Sequence, residues 1–300
     1  MNKKLKIIVK ILFIIIILTF LLWFCQNKYF NTSKKVNLTQ QNKKNVVINS
    51  ILPLWQITNF LTADRIENLL LIPPTDSEHN FQLKNQHLLD LQRADLVFYL
   101  SNNLENLLTK IQQNPDFANK TKEIAKEVNF DLLANNWHLW LNPRNILLIA
   151  TWQTQQLCQI NANNCSFYQE NLQKFQLQII EVVSKINQLF LQKKSSKSIV
   201  LLHDAYSYFF DYFKITNIIV LSHHHQSNMQ IKQMQNLVNN NKQISCLMAE
   251  SNNSSAQKIA SNYGLKYQEL NLFYQSQQQN TINIIADGFW QMSQQVVNCL

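Results

Sequence analysis

The chain has 300 residues, a formal net charge of +9 and only two glycines, Gly264 and Gly288. So few glycines exclude a P-loop and a dinucleotide fingerprint, each of which needs several at fixed spacing. The charge excess sits entirely in residues 1–45, with nine lysines and no acid; the remaining 18 basic residues are matched by 18 acidic ones, which leaves no electrostatic case for binding nucleic acid.

Lys3, Lys4, Lys6 and Lys10 lead into an apolar run from Ile11 to Phe24, broken only by Thr19. This is the layout of an export signal. No small-residue cleavage site follows. Cys25 suits lipid attachment except for the bulky Phe24 before it, and an uncleaved anchor with its N-terminus inside is the other reading. We read residues 1–25 as a signal or membrane anchor and 26–45, polar and rich in Lys, Asn and Gln, as a flexible tether. The body is then periplasmic or otherwise extracytoplasmic. Four further cysteines agree with export: Cys158 with Cys165 and Cys246 with Cys299 would place one bridge in each half, the competing reading being four buried thiols.

Val46–Leu52 reads as a buried strand stopped by Pro53, Leu54–Leu61 as an amphipathic helix, and Asn68–Ile72 as a second strand ending at Pro73-Pro74. The loop Thr75-Asp76-Ser77-Glu78-His79 follows, then a helix over Lys84–Gln92, with His87 at its surface, a strand over Ala94–Leu100 and a helix over Leu104–Gln112. In Trp137-His138-Leu139-Trp140-Leu141, alternation puts His138 and Trp140 on one face if the backbone is extended. Pro143 opens a helix. Tyr168, Leu172, Phe175, Ile179, Val182, Ile186 and Leu189 then recur at three- and four-residue steps, predicting about six turns of helix, long enough to cross between domains. After a Ser/Lys linker the alternation resumes: a strand over Ser198–Leu202 ending at His203, a helix carrying Tyr206, Phe209, Phe210 and Phe213, and strands over Asn217–Leu221 and Gln243–Met248. A helix over Ser254–Tyr263 stopped by Gly264, a strand over Tyr267–Leu272 and a helix over 281–298 complete the chain. Strands alternating with helices predict parallel βα units, whose ligands bind beyond the carboxyl ends of the strands, where His79, His138 and His203 all fall.

Three imidazoles from distant parts of the chain make a donor set that prefers Zn2+ among common divalent ions. Glu78 is placed to be a fourth ligand or to lie behind one; Asp204 is placed to orient a ligand or to cap the following helix. For each histidine alone the bland reading is a satisfied core residue. His223-His224-His225 is a run that can capture metal loosely, the bland reading being an exposed turn without function. Three histidines with an open position also describe a zinc hydrolase using Glu78 as general base, although HExxH is absent.

Taken together, Ser77-Glu78-His79-Asn80-Phe81, Ala94-Asp95-Leu96-Val97-Phe98-Tyr99 with Leu104-Glu105, and Trp137-His138-Leu139-Trp140-Leu141-Asn142-Pro143 resemble a known family. So do Tyr168-Gln169-Glu170-Asn171, His203-Asp204-Ala205-Tyr206-Ser207-Tyr208-Phe209 and Cys246-Leu247-Met248-Ala249-Glu250. The family is that of the metal-binding solute-binding proteins of bacterial zinc/manganese ABC importers. The resemblance covers about residues 46–300. It implies an α/β fold of two similar lobes with parallel four-stranded sheets, residues 46–165 and 196–300, joined by one long rigid helix, 166–195, with the metal in the cleft. It implies ligands at His79, His138 and His203, Glu78 preceding His79 as in the zinc-specific branch, and a Cys246–Cys299 disulfide. Where the family often supplies an aspartate near the end, Asn271 stands here, which argues against manganese; Trp137 replaces a common aspartate, and a His/Asp-rich loop before His138 is missing. The expectation is a monomeric extracytoplasmic receptor that binds Zn2+ and delivers it to an ABC permease without catalysing a reaction. The alternatives are a manganese or iron receptor and the hydrolase.

Overall fold

In a computed structural model of the chain, described over residues 44–133, 135–193, 196–221, 227–240, 243–251, 253–271 and 284–300, the apolar runs become two parallel sheets. β1 (Val46–Asn49), β2 (Glu67–Leu70), β3 (Leu96–Tyr99) and β4 (Thr121–Glu123) lie in the order β2-β1-β3-β4. β5 (Ser198–Leu201), β6 (Ile218–Val220), β7 (Ile244–Glu250) and β8 (Lys266–Leu270) repeat the pattern as β6-β5-β7-β8. β1 and β3 are buried along their whole length, as strands covered on both faces must be, and their sequences are correspondingly near-continuous apolar runs.

Helices connect the strands: α1 (Leu52–Thr62), α2 (Asn85–Arg93), α3 (Asn106–Gln113), α4 (Pro115–Ala118), α5 (Ile124–Glu127) and α6 (Pro143–Ile160). α6 starts where its sequence demands. Pro143 needs no backbone partner in the first turn, and the Asn142 side chain accepts from the Arg144 N–H at 2.8 Å. α7 (Cys165–Leu191) is the long predicted helix, with Tyr168, Phe175, Ile179, Val182 and Ile186 buried along one stripe. α8 (Ser207–Tyr212), α9 (Ser227–Asn239), α10 (Ser254–Asn262) and α11 (Ile284–Val297) complete the second lobe. Gly264 follows α10 at φ +62°, the left-handed position that ends a helix best without a Cβ.

α7 packs against α1 and α6 of the first lobe and α11 of the second, and α1 and α11 touch each other. One apolar core therefore runs through both lobes, from Val46 to Cys299. A smaller core lies on the outer face of the second sheet. Strand alternation separates the two: Ile199, Leu201, Cys246 and Met248 join the main core, while Val200, Leu202, Leu247 and Ala249 join the outer one. Cys158 is bonded to Cys165 across the α6–α7 junction, and Cys246 in β7 to Cys299 after α11.

Several expectations are corrected. Leu139–Leu141 is a buried 3-10 turn, not an extended segment, because the Asn142-Pro143 helix start follows at once. His138 consequently does not lie just past a strand: β4 and α5 precede it. Asp204 is the first residue of a 3-10 turn whose N-cap is His203, and the N-cap of α8 is Tyr206. β4 and α9 were not foreseen. His87 is half-buried, its Nδ1 accepting from the Lys84 N–H at 3.1 Å at the start of α2. The N-terminal signal or anchor, the tether up to residue 43 and the His223-His224-His225 run lie outside the described residues, among which no helix is long and apolar enough to cross a membrane.

Candidate metal centre

His79 and Glu78 sit in the loop after β2, His138 ends the long connection before α6, and His203 follows β5 with extended backbone. The fold brings them together around His138. Its ring centroid lies 5.9 Å from that of His79 and 4.9 Å from that of His203. Donor atoms of Glu78, His79 and His138 lie within 4.8 Å of one another, as do those of His138, His203 and Asp204. Individual separations are 3.6 Å from His138 Nε2 to Glu78 Oε1, 3.9 Å from His79 Nε2 to the same oxygen, and 3.5 Å from His203 Nε2 to Asp204 Oδ1. These exceed a hydrogen bond but approach the roughly 3.4 Å between two donors that share a tetrahedral ion at about 2.1 Å each.

Both buried rings turn Nε2 toward the centre. Asn136 directs its amide nitrogen to the Asp204 carbonyl at 2.7 Å, so its oxygen faces His138, accepting from the backbone N–H at 3.0 Å and from Nδ1 at 3.0 Å. His203 Nδ1 pairs with Glu250 Oε1, at the end of β7. Asn136 Oδ1 and the Glu250 carboxylate are acceptors, so the neutral form of each ring carries its proton on Nδ1 and its lone pair on Nε2. Among the described residues, His138 Nε2 is fully buried with no partner within hydrogen-bond distance, Glu78 Oε1 standing 3.6 Å away. An orphaned buried acceptor costs about 1–3 kcal/mol, and a bound cation would satisfy it.

The electrostatics suit a cation. Burial pushes the Glu78 carboxyl up, but its contacts with His138, its own backbone and His79 outweigh that and hold it below the ordinary carboxylate value. Burial lowers His138, helped by His203 and His79 and opposed by Glu78, so its imidazole is neutral near pH 7. His79, with 38% of its side chain exposed, is the only one of the three histidines open to solvent to that degree. Asn271 stands just beyond β8, where its oxygen accepts from Ser251 Oγ at 2.5 Å; among the described residues it makes no hydrogen bond to the three histidines.

Sequence reasoning missed Glu250 and Asn136, and also Tyr208, which ties the lobes together beside the centre. Tyr208 OH accepts from the Leu133 N–H at 3.0 Å and donates to the Asn136 carbonyl at 2.9 Å. The place of Glu250 follows from strand register. Ile199 pairs with Cys246 and Leu201 with Met248, so the same register continued by two residues sets His203 opposite Glu250.

Comparison with known proteins places the chain in a family. Residues 47–297 match the family described as zinc-uptake complex component A, periplasmic. The high-affinity zinc uptake system protein ZnuA of Haemophilus ducreyi is 26% identical over 194 residues, 54% of this chain and 62% of that protein. The manganese ABC transporter substrate-binding lipoprotein PsaA of Streptococcus pneumoniae is 24% identical over 192 residues, 59% of this chain and 62% of its own length. A Zn(II)-bound variant of AdcAII from Streptococcus pneumoniae superposes with a TM-score of 0.73 at 18% identity, covering 86% of this chain and 99% of that one. With two four-stranded parallel lobes linked by a long helix, the chain belongs to the ZnuA family of periplasmic metal-binding receptors of ABC importers, and is a receptor rather than an enzyme.

Proposed function

We propose that this receptor binds Zn2+ through His79, His138 and His203, with Glu78 as the fourth ligand, and delivers it to an ABC permease. Asp204 lies beside His203 as a second carboxylate, available to a five-coordinate ion. The observation that carries the reading is the buried His138 Nε2, without a hydrogen-bond partner among the described residues, between Glu78 and His203. A set of three neutral imidazoles favours zinc over manganese, which seeks more oxygen, and the amide of Asn271 removes one oxygen anion from the end of β8. The zinc relative in Haemophilus ducreyi supports this choice, and the manganese relative in Streptococcus pneumoniae supports its competitor, as do the two carboxylates Glu78 and Asp204. In this reading residues 1–25 export or anchor the chain, 26–45 tether it at the inner membrane, and it works as a monomer whose two lobes, 46–165 and 196–300, flank the linking segment 166–195. Elemental analysis after purification without added metal, with chelator competition for both ions, tests the assignment. We expect zinc to be retained and to bind more tightly than manganese by roughly two orders of magnitude; equal affinities or a manganese preference would overturn the zinc reading.

A further inference from the structure

We propose that Glu250 is a positioning residue for the metal, holding His203 by its Nδ1 so that Nε2 is presented to the ion, and that its negative charge, not only its shape, sets the strength of that ligand. The proposal rests on the reading of His203 as a ligand.

Three observations carry it. The first is register: β5 and β7 are neighbouring parallel strands, Leu201 pairs with Met248, and the Leu202 N–H donates to the Met248 carbonyl at 3.0 Å. His203 keeps extended backbone (φ −136°, ψ 136°), so its side chain continues the row of Ile199 and Leu201 that faces the main core. Glu250 continues the row of Cys246 and Met248 on the adjacent strand. The sheet itself delivers the pair.

The second is the bond, with Glu250 Oε1 directly on Nδ1 of His203. A carboxylate accepts only, so the neutral ring is fixed in the tautomer that carries its proton on Nδ1 and its lone pair on Nε2. The third is the contrast with His138. There the acceptor on Nδ1 is the neutral amide of Asn136. An anionic partner makes an imidazole the stronger donor, so the two buried ligands are unequal, and the second lobe holds the better one. Glu250 is itself anchored away from the ring, where its carbonyl accepts from Tyr267 OH at 3.5 Å on β8.

A double-mutant cycle on the full chain tests this, with zinc affinity read by chelator competition for wild type, Glu250→Gln, His203→Ala and the double variant. Glutamine keeps the size and an acceptor oxygen and removes the charge. We expect Glu250→Gln to weaken zinc binding about 10–100-fold while the melting temperature of the metal-free protein stays close to wild type. In the His203→Ala background the same change should have almost no effect, because its route to the metal is gone. Comparing the two backgrounds cancels any general destabilisation they share. Wild-type affinity in Glu250→Gln, or an equal loss in both backgrounds, overturns the proposal and leaves the metal centre standing. A His203→Ala variant that binds zinc as tightly as wild type would instead remove His203 from the centre, and this proposal with it.

Discussion

His138 is the residue on which the centre turns, and two measurable consequences follow from its burial. Among the described residues its Nε2 has no hydrogen-bond partner, so a bound cation adds stability by mass action. Zinc at about 100 times its dissociation constant stabilises by about 2.7 kcal/mol, which for a chain of this size raises the melting temperature by about 5–10 °C. His138→Ala should abolish that shift in a thermal melt; a full shift in the variant would mean the ion sits elsewhere. The second consequence is pH dependence in the metal-free protein. Burial holds His138 below 6.5, the value its imidazole has when exposed. The unfolded chain therefore binds a proton near pH 6.5 that the folded protein refuses until lower pH. Stability from this residue is complete above that pH and is lost as pH falls from it toward the depressed folded value. Glu105 has the opposite sign. Its carboxyl is wholly buried at the ends of β1 and β3, accepting from Ser50 Oγ and from the Leu100 and Ser101 N–H groups, and burial pushes it up from 4.5 to about 7. Ionising it in the folded protein costs about 3 kcal/mol, a penalty absent below pH 4.5, growing as pH rises and complete above pH 7. Urea melts at pH 5 and pH 8 should show that Glu105→Gln flattens this decline; an unchanged slope would assign the pH dependence to other groups.

At the scale of elements, the parts legible in the sequence are those whose burial is mainly apolar. Val46–Asn49 and Ser198–Leu201 were readable because a parallel strand covered on both faces is a near-continuous apolar run, broken here only by Asn49 and Ser198. The linking helix was readable because 27 residues keep one buried stripe without Gly or Pro. β4 was not, because its burial is polar: Glu123 is satisfied by Tyr99 OH at 3.0 Å and by the Asn102 backbone N–H at 2.9 Å, partners that only the folded sheet supplies. The three candidate ligand histidines could be singled out from their local settings, whereas Glu250 and Asn136 could not, because their roles depend on register and on a cross-lobe contact. The disulfides give an element-scale prediction. Cys246–Cys299 closes a span of 53 residues and Cys158–Cys165 one of 7. In the loop-entropy account their removal costs about 4 and 2 kcal/mol respectively. Replacing each pair with alanine and comparing denaturation midpoints should show the larger loss for the β7–α11 bridge; the reverse order would mean that strain or residual structure outweighs loop entropy.

Across the whole molecule, each sheet reverses its strand order at the same place, between β1 and β3 in one lobe and between β5 and β7 in the other, where parallel sheets gather polar groups. In the first lobe that point holds Ser50 with Glu105; in the second it holds His203 with Glu250. The two sides are not free to swing widely. One core passes through both lobes along α7, and Tyr208 of the second lobe holds Leu133 and Asn136 of the first by two hydrogen bonds, while Asn136 holds Asp204 in return. A hinge would have to break this clamp beside the centre itself. We therefore expect zinc to change the radius of gyration, about 18 Å for a body of this length, by well under about 1 Å, as for preorganised sites generally. X-ray scattering with and without zinc measures this directly, and a compaction of several ångströms would refute a rigid pair of lobes. Tyr208→Phe sharpens the test, since it keeps the ring and removes only the hydroxyl. If the clamp sets the geometry, this variant should show a larger zinc-dependent compaction and a weaker affinity, because binding would then have to order what the wild-type fold already holds in place.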